Sequence, residues 1–486
     1  MPRPLVLIHG YSSEGAAFDR LRDALKAKGI VPTDIDICTY VSLNNEITIK
    51  DIAEGLDRAF RLHPKLKDDN QEFDAIVHST GMLVLRSWLT NLGASVGANK
   101  RLKRLKHLIG VAPATWGSPQ AHKGRTWLGA LVKGNKQLGP DFLNAGDRVL
   151  EGLELGSSFT WDLAHMDLLG PKPYYDSGDS TPFPAVFIGN SPYQGLDSVA
   201  NEPGTDGTVR WAGCGLNTRK LTIDLTRTPI GDDGKPASRV SISPWAGNRL
   251  NIPMIAVDGR NHSSLISDPD DGMVSLIVDF LKVGDPARES YESWLARAKD
   301  YGQKGLQKML VNPGSGGSGL SADLKSLVGH LIGRDPDEPL EGWQQFVVRA
   351  RDERNDGVSD YMVEVLKKEN GEWKPFKEIS TDVHAYGPDP SFRCFHVRLP
   401  KGISDGGTQL MVRINASTGT ELMAYQGYGS EQRELSATAE PVEVEIGDLG
   451  NGNGSLFQPF TTTLIEIVLN REPLPFNAES RILKFL

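Results

Sequence analysis

The sequence predicts an α/β domain built on a parallel sheet with helices on both faces, followed by a C-terminal antiparallel β-sandwich domain. Short apolar runs alternate with helical patterns over residues 4–300, a Gly/Ser-rich stretch occupies residues 312–319, and the hydrophobic period changes to two after Trp343. We therefore expect a first domain with a cap insertion, a linker with a short helix, and a sandwich domain, at residues 1–311 (cap about 117–182), 312–340 and 341–486.

The first domain contains six predicted strands. Each is a short apolar run bounded by Gly, Pro, Asn or Asp: Leu5–His9, Asp34–Thr39, Phe73–His78, His107–Ala112, Ala185–Gly189 and Pro253–Asp258. Apolar residues recur at helical spacing after Gly81, after Asp271 and over residues 286–311. Strands that alternate with helices indicate a parallel sheet, because a parallel connection requires a long crossover.

Two stretches interrupt this alternation. Residues 117–182 are rich in apolar residues but have no strand pattern, which is typical of a helical cap or lid. Residues 210–252 contain two short β patterns, which we expect to form a small β excursion within the first domain.

The C-terminal part has the alternation of half-buried strands. Five runs alternate apolar and polar side chains, and a sixth, Leu464–Leu469, is apolar on both faces. Gly-, Asp- and Pro-rich loops separate these runs, as expected for an antiparallel sandwich. The alternating runs begin at Phe346, Tyr361, Phe395, Leu410 and Val442.

Composition limits the classes of partner. The chain has 486 residues and a net charge of -9, and its part from Glu341 onward holds 15 basic and 22 acidic residues. An acidic surface repels phosphates, so we expect no nucleic-acid partner and no simple attraction of the C-terminal domain to anionic membranes. Packing, binding of a protein or lipid surface, and presentation of substrate remain open as roles for this domain.

Cysteine use and hydropathy limit the environment. The 3 cysteines are far apart, which argues against a disulfide scaffold and a CxxC zinc site. No uncharged run approaches the roughly 20 residues of a membrane span, and no signal-peptide pattern precedes the first strand. We expect a cytoplasmic protein with no transmembrane segment, no cofactor and no metal.

The strongest site pattern is the segment FDAIVHSTG, residues 73–81. An apolar strand leads into Ser79, Gly81 follows two residues later, and a helix begins at once, as in a nucleophile elbow. The full pattern is G-x-S-x-G, and Val77 stands where its first glycine belongs. Ser79 is thus a candidate nucleophile, with helix N-capping as the alternative role.

A second strand end supplies a candidate oxyanion hole. The first strand ends in His9-Gly10-Tyr11, and the tetrahedral intermediate of acyl transfer needs two backbone N–H donors, one of them next to the nucleophile. The N–H groups of Thr80 and Tyr11 fit those two roles. We expect His9 to organise the loop rather than to transfer protons.

An acid and a base follow in the order Ser, Asp, His. Asp206 lies in a Gly-rich turn after the fifth strand, and His262 lies in the loop after the sixth. In a triad the histidine takes the serine proton, and the aspartate fixes the histidine tautomer. Asp197 is the alternative acid, and an Asx turn is the alternative role for Asp206.

With the motifs LVLIHGY, IVHSTGM, GTDGTV and GRNHSS, residues 4–285 resemble the α/β-hydrolase superfamily, and within it bacterial lipases and esterases. The resemblance implies Ser79 as nucleophile, Asp206 as acid and His262 as base. It implies the backbone N–H groups of Tyr11 and Thr80 as oxyanion donors, and it does not extend to the C-terminal domain.

The function expected from this resemblance is serine-dependent hydrolysis of carboxylic esters through an acyl-enzyme. Trp116, Trp127 and Trp161, in or next to the cap, favour a substrate with an apolar acyl group, although these side chains also suit packing of the cap. An acyltransferase or thioesterase would use the same triad. A non-catalytic scaffold with a partner-binding β domain is the alternative outside enzymes.

Overall fold

A computed structural model of the chain describes sixteen segments and divides them between two compact units. The first unit comprises Met1–Asn217 and Trp245–Pro339, and the second comprises Thr218–Pro244 and Leu340–Leu486. The described residues are 3–10, 18–40, 45–90, 98–122, 146–170, 174–175, 181–193, 201–227, 238–243, 252–284, 290–311, 340–405, 407–420, 422–426, 442–446 and 456–473.

A six-stranded, fully parallel sheet forms the centre of the first unit, in the order β2-β1-β3-β4-β5-β8. All six strands predicted for the first domain are present in it, with ends that differ by at most two residues. Their bounds are β1 Leu5–Ile8, β2 Ile35–Cys38, β3 Phe73–His78, β4 Leu105–Val111, β5 Phe183–Gly189 and β8 Met254–Val257.

Nine α-helices lie in the described part of this unit. A capping box, in which Thr48 and Asp51 bond each other's backbone N–H, starts the second helix, and the Asp270 side chain caps the eighth. The bounds are α1 Asp19–Ala27, α2 Ile49–Leu62, α3 Gly81–Thr90, α4 Ala98–Arg104, α5 Asp147–Leu153, α6 Ser158–Asp167, α7 Ser264–Ser267, α8 Asp271–Phe280 and α9 Tyr291–Val311.

Helices cover both faces of the parallel sheet. On one face Ile76 of β3 belongs to a buried cluster with Phe280 of α8 and Trp294 of α9. On the other, Phe73 of the same strand packs edge-on against Phe60 of α2 and Trp88 of α3, with ring centroids 5.1 and 5.8 Å away. Because successive strand residues point to opposite faces, β3 is buried along its whole length.

Helices α5 and α6 lie in the described part of the predicted cap. They pack against α2 and α3 of the body, and Trp116 and Trp161 are both buried. The Trp116 indole donates to the carbonyl of Gly215 at 3.0 Å, so this side chain serves packing. Trp127 lies outside the described residues, and the covering role of the cap stays a prediction.

The second unit is a sandwich of two sheets around one core. The first sheet is antiparallel, in the order β11-β10-β14-β16; in the second, β12-β13-β9-β17-β6-β7 are neighbours and β15 also pairs with β17. The strands are β6 Thr218–Asp224, β7 Val240–Ser243, β9 Leu340–Asp352, β10 Tyr361–Glu369, β11 Glu372–Pro375, β12 Ser380–Ala385, β13 Phe392–Pro400, β14 Leu410–Ala416, β15 Met423–Gln426, β16 Val442–Ile446 and β17 Thr462–Pro473.

The second sheet differs from the predicted one in two respects. It is mixed rather than purely antiparallel, because β17 pairs in parallel with both β9 and β6. Strands β6 and β7 come from the excursion that we expected to find in the first domain, yet Leu221 and Ile223 lie in the core of the second unit. Alternation of side chains indicates a strand but does not reveal its partner, which explains the difference. The predicted linker at 312–319 lies outside the described residues.

Candidate active site

Ser79 lies at the turn between β3 and α3 in a backbone conformation that few residues other than glycine adopt. Its φ is +53°, in the left-handed region. The turn is held on both sides: the Ser79 carbonyl accepts from the N–H of Met82 at 3.2 Å and of Ala114 at 3.0 Å. This is the sharp strand-to-helix turn that the sequence pattern predicts for an elbow.

Two glycines allow the close approach of β1 to this turn. A Cβ added to Gly81 would lie 2.5 Å from the carbonyl oxygen of Ile8, so the helix can begin there only without a side chain. A Cβ added to Gly10 would lie 2.9 Å from the Ser79 Cβ and 3.3 Å from its Oγ. Gly10, two residues after the end of β1, therefore lies directly beside the Ser79 hydroxyl.

Valine replaces glycine at the first position of the elbow motif without a steric conflict. Val77 is fully buried, and its register partner on β4 is Gly110. Strand β4 thus places no side chain next to Val77 on that face of the sheet.

The two predicted oxyanion donors differ in what the structure describes. Thr80 is fully buried directly before α3, and its backbone N–H has no acceptor within the described part of the chain. An unpaired N–H at a helix N-terminus favours a developing negative charge. Tyr11 lies outside the described residues. His9, two residues before Tyr11, is buried, and its ring stacks on the ring of Tyr40 with ring centroids 5.9 Å apart.

Asp206 and His262 meet as a buried pair. The Nδ1 atom of His262 lies 3.0 Å from Oδ2 of Asp206, and the His262 backbone N–H donates to the Asp206 carbonyl, also at 3.0 Å. Asp206 is 0% and His262 5% exposed. The carboxylate fixes the tautomer with the proton on Nδ1, which leaves Nε2 to accept a proton.

The turn that carries Asp206 is organised around its carboxylate. Oδ1 accepts from the backbone N–H of Thr208 at 3.1 Å and of Val209 at 2.8 Å. Gly204 and Gly207 have φ of +75° and +100°, which explains the Gly-rich sequence of this turn. Asp197, the alternative acid, lies outside the described residues.

His78 joins strand β3, which ends directly before Ser79, to the loop that carries His262. Its Nε2 donates to the carbonyl oxygen of His262 at 3.1 Å, and the two rings lie 4.7 Å apart. Burial, followed by the neighbouring His262, holds the pKa of His78 well below its ordinary value, so its ring is neutral. Ser79 is the next residue, so this bond brings the strand before Ser79 to the Asp206–His262 pair.

A buried ion pair anchors the helix that begins at the elbow. Arg86 of α3 donates to both carboxylate oxygens of Asp167 on α6, at 2.7 and 2.9 Å, and to the carbonyl of Thr115 at 2.7 Å. Tyr175 donates its hydroxyl to the same carboxylate at 2.8 Å. The pair ties α3 to the segment after β4 and to the described part of the cap.

Sequence reasoning missed His78 and Arg86 as parts of this site. A histidine before the serine and an arginine one turn into an apolar helix were the available signals, since a charge in a buried helix requires a partner. Within the described residues, no three His, Cys, Asp or Glu side chains gather ligand atoms around Ser79 as a metal ion requires.

Comparisons with known proteins find similarity in structure and none in sequence: no family model and no curated protein matches the chain. Phospholipase PlaB from Legionella pneumophila has a TM-score of 0.71 at 19% identity, over 98% of this chain and 97% of that one. A second PlaB structure, in complex with thio-NAD, has a TM-score of 0.69 at 19% identity and covers 98% and 96%. Mature lipase BlEst2 from Bacillus licheniformis, at 13% identity and a TM-score of 0.35, covers 57% and 92%.

The likeness to PlaB includes both units of the chain, since it covers nearly all of each protein. At this level of identity the likeness establishes the fold. The predicted α/β-hydrolase resemblance is thus confirmed for the fold of the first unit. Within this unit Ser79, Asp206 and His262 follow the carboxyl ends of the parallel strands β3, β5 and β8 along the chain.

Proposed function

We propose that the protein hydrolyses carboxylic esters through an acyl-enzyme formed on Ser79. The observation that carries the proposal is the buried hydrogen bond between His262 Nδ1 and Asp206. His78, which precedes Ser79, bonds to the His262 carbonyl, and Ser79 itself is held at a φ of +53°. A serine needs an adjacent base to become a nucleophile, and that base needs a group that fixes its tautomer.

The proposed reaction has two steps. His262 Nε2 takes the Ser79 hydroxyl proton as Oγ attacks the ester carbonyl, and it then returns the proton to the leaving alcohol. Water, deprotonated in the same way, releases the acid from the acyl-enzyme. Asp206 stabilises the imidazolium that forms in each step, while the N–H groups of Thr80 and Tyr11 bind the oxyanion.

The substrate we propose is an acyl ester of a lipid, and in particular of a phospholipid. The support is the likeness to a phospholipase over nearly the full length of both chains. No helix among the described residues is long and apolar enough to cross a membrane. The enzyme would then meet such a lipid at a membrane or micelle surface.

The test is release of fatty acid from phospholipid micelles, measured by mass spectrometry for the wild type and Ser79→Ala. We expect a loss of about 10⁴-fold or more, since only oxyanion and binding effects remain without the nucleophile. Near-normal release by a folded Ser79→Ala protein would reject the assignment. His262→Ala should cause a loss of activity of the same size as Ser79→Ala, and the two losses should not add in the double variant. Asp206→Asn should cause a smaller loss.

Two further measurements separate the alternatives. A fluorophosphonate probe should label the wild type and not Ser79→Ala, whereas a non-catalytic scaffold would not be labelled. Parallel assays with matched oxygen esters, thioesters and alcohol acceptors distinguish hydrolase, thioesterase and acyltransferase. A nitrophenyl ester panel should show activity that rises from acetyl to medium chains, because each buried CH₂ contributes up to about 0.8 kcal/mol.

A further inference from the structure

A tyrosine outside the proposed triad connects the two loops that carry its acid and its base. Tyr193 follows β5, and its hydroxyl oxygen lies 3.0 Å from Oγ1 of Thr208 and 3.0 Å from Oγ of Ser263. Thr208 comes two residues after Asp206, and Ser263 comes directly after His262. One phenol hydroxyl therefore bridges the acid turn and the histidine loop.

The ring and backbone of Tyr193 are fixed against the acid segment. A Cβ added to Gly207 would lie 2.5 Å from the Tyr193 ring, so the ring rests directly on the peptide next to Asp206. The Tyr193 N–H donates to the Asn201 side chain, whose amide donates back to the Tyr193 carbonyl, both at 2.9 Å. The hydroxyl position is therefore set by the segment that carries the acid.

The bridge continues into a third loop. Ser118, after β4, donates its hydroxyl to the Thr208 carbonyl at 2.6 Å. The Thr208 N–H in turn donates to the Asp206 carboxylate. Movement of Thr208 is thus opposed from two sides, and any change in its position acts on the Asp206 carboxylate directly.

We propose that Tyr193 is a positioning residue, whose hydroxyl sets the spacing between the acid turn and the histidine loop and so keeps Asp206 bonded to His262. The proposal rests on the proposed function of that pair. Without the hydroxyl, the hydrogen bonds that the described residues show between the two loops are those of Asp206 with His262. Those contacts must then hold the loops together as well as orient the base.

The first test is Tyr193→Phe, which removes the oxygen and keeps the ring on Gly207. With two hydrogen bonds lost next to the pair, we expect kcat on a soluble nitrophenyl ester to fall roughly 10- to 30-fold. KM should change less than about twofold, because no substrate contact is removed. The matched control is Tyr291→Phe, which deletes a hydroxyl bonded to the Pro184 carbonyl at the opposite end of β5 and should keep kcat within about twofold.

The second test asks whether the effect passes through the pair. In the Asp206→Asn background, where the pair is already impaired, Tyr193→Phe should lower the residual single-turnover acylation rate less than about twofold. Thr208→Val and Ser263→Ala should each reproduce part of the loss, and neither should add to Tyr193→Phe. These two variants also serve as the test if Tyr193→Phe does not fold.

The proposal is overturned if Tyr193→Phe keeps wild-type kcat, or if it costs the same factor with and without Asp206→Asn. A purely structural role gives that second outcome. Failure of the Tyr193 proposal can be distinguished from failure of the proposed function. Loss of activity in Ser79→Ala with full activity in Tyr193→Phe rejects only the bridge, whereas full activity in Ser79→Ala rejects the triad itself.

Discussion

Replacing Asp167 with alanine should destabilise the first unit strongly, because it leaves the Arg86 charge buried and unpaired. Both side chains are 0% exposed, and the variant removes two of the three described hydrogen bonds of the guanidinium. Burial alone would lower the pKa of Arg86, but the charge and hydrogen bonds of Asp167 outweigh it and raise that pKa. The arginine therefore stays charged in the native protein.

The magnitude follows from the two groups left without a partner. Breaking a buried ion pair by removing one member costs about 3–5 kcal/mol. The Tyr175 hydroxyl also loses its acceptor, which adds roughly 1 kcal/mol. A loss of about 4–6 kcal/mol is comparable with the whole stability of many domains. Native-state hydrogen exchange by mass spectrometry should show it as faster exchange in peptides from α3 and α6.

Two control variants separate the charge from packing. Tyr175→Phe removes only the hydroxyl and should cost about 1 kcal/mol. The double variant Arg86→Met with Asp167→Leu removes both charges together and should recover most of the loss. The reasoning would be refuted if the free energy of opening of α3, measured by hydrogen exchange, differed by less than about 1 kcal/mol between Asp167→Ala and the wild type. It would also be refuted if the double variant were as unstable as Asp167→Ala.

Three further predictions follow from contacts described above. Gly10→Ala places a Cβ 2.9 Å from the Ser79 Cβ and should lower ester hydrolysis about 100-fold at unchanged melting temperature. The control Gly55→Ala, which has open space around its Cβ, should leave activity intact, and equal activities of the two variants would contradict this prediction. Burial depresses the pKa of His78 on folding, so its contribution to stability is present above pH 6.5 and is lost as pH falls. Between pH 7.5 and 5.5 the wild type should therefore lose more unfolding free energy than His78→Asn, by a difference on the order of 1 kcal/mol, and parallel pH profiles of the two proteins would refute this. Truncation after residue 339 leaves β6 without its partner β17, so the truncated protein should aggregate. Replacing residues 218–244 with a Gly/Ser segment should reduce that aggregation, and a truncated protein that is soluble and monomeric without this replacement would contradict the prediction.

The parallel sheet was predictable because burial on both faces makes its strands apolar throughout. Strand β3 is buried at all of its positions, and such runs stand out from polar loops. Short or polar strands at sheet edges gave no comparable signal. Strand β11, with the sequence EWKP, is mostly exposed and was not predicted.

For the site, chain order and local turn signals predicted the candidate residues, but the long-range contacts between these residues could not be predicted from the sequence. The turn glycines around Asp206 and the loop after the sixth strand singled out Asp206 and His262 as candidates, and the structure joins these two side chains by a hydrogen bond. The bond from His78 to the histidine loop spans 184 residues of sequence, and no local pattern encodes it. The glycine on β4 that faces Val77 was equally hidden, because register between strands is set by the whole sheet.

The path of the chain through its two units has a consequence for synthesis on the ribosome. Strand β6 emerges before the strand of the first unit that precedes His262, yet its parallel partner β17 is made about 240 residues later. Until then Leu221 and Ile223 lack the core that covers them in the finished protein. The nascent chain thus exposes the apolar side chains of an unpaired strand after the strands of the first unit have been synthesised. Chaperones recognise exposed apolar segments of this kind. Slow translation of the last 150 or so residues would prolong that exposure, so expression yield should depend on conditions that protect nascent chains.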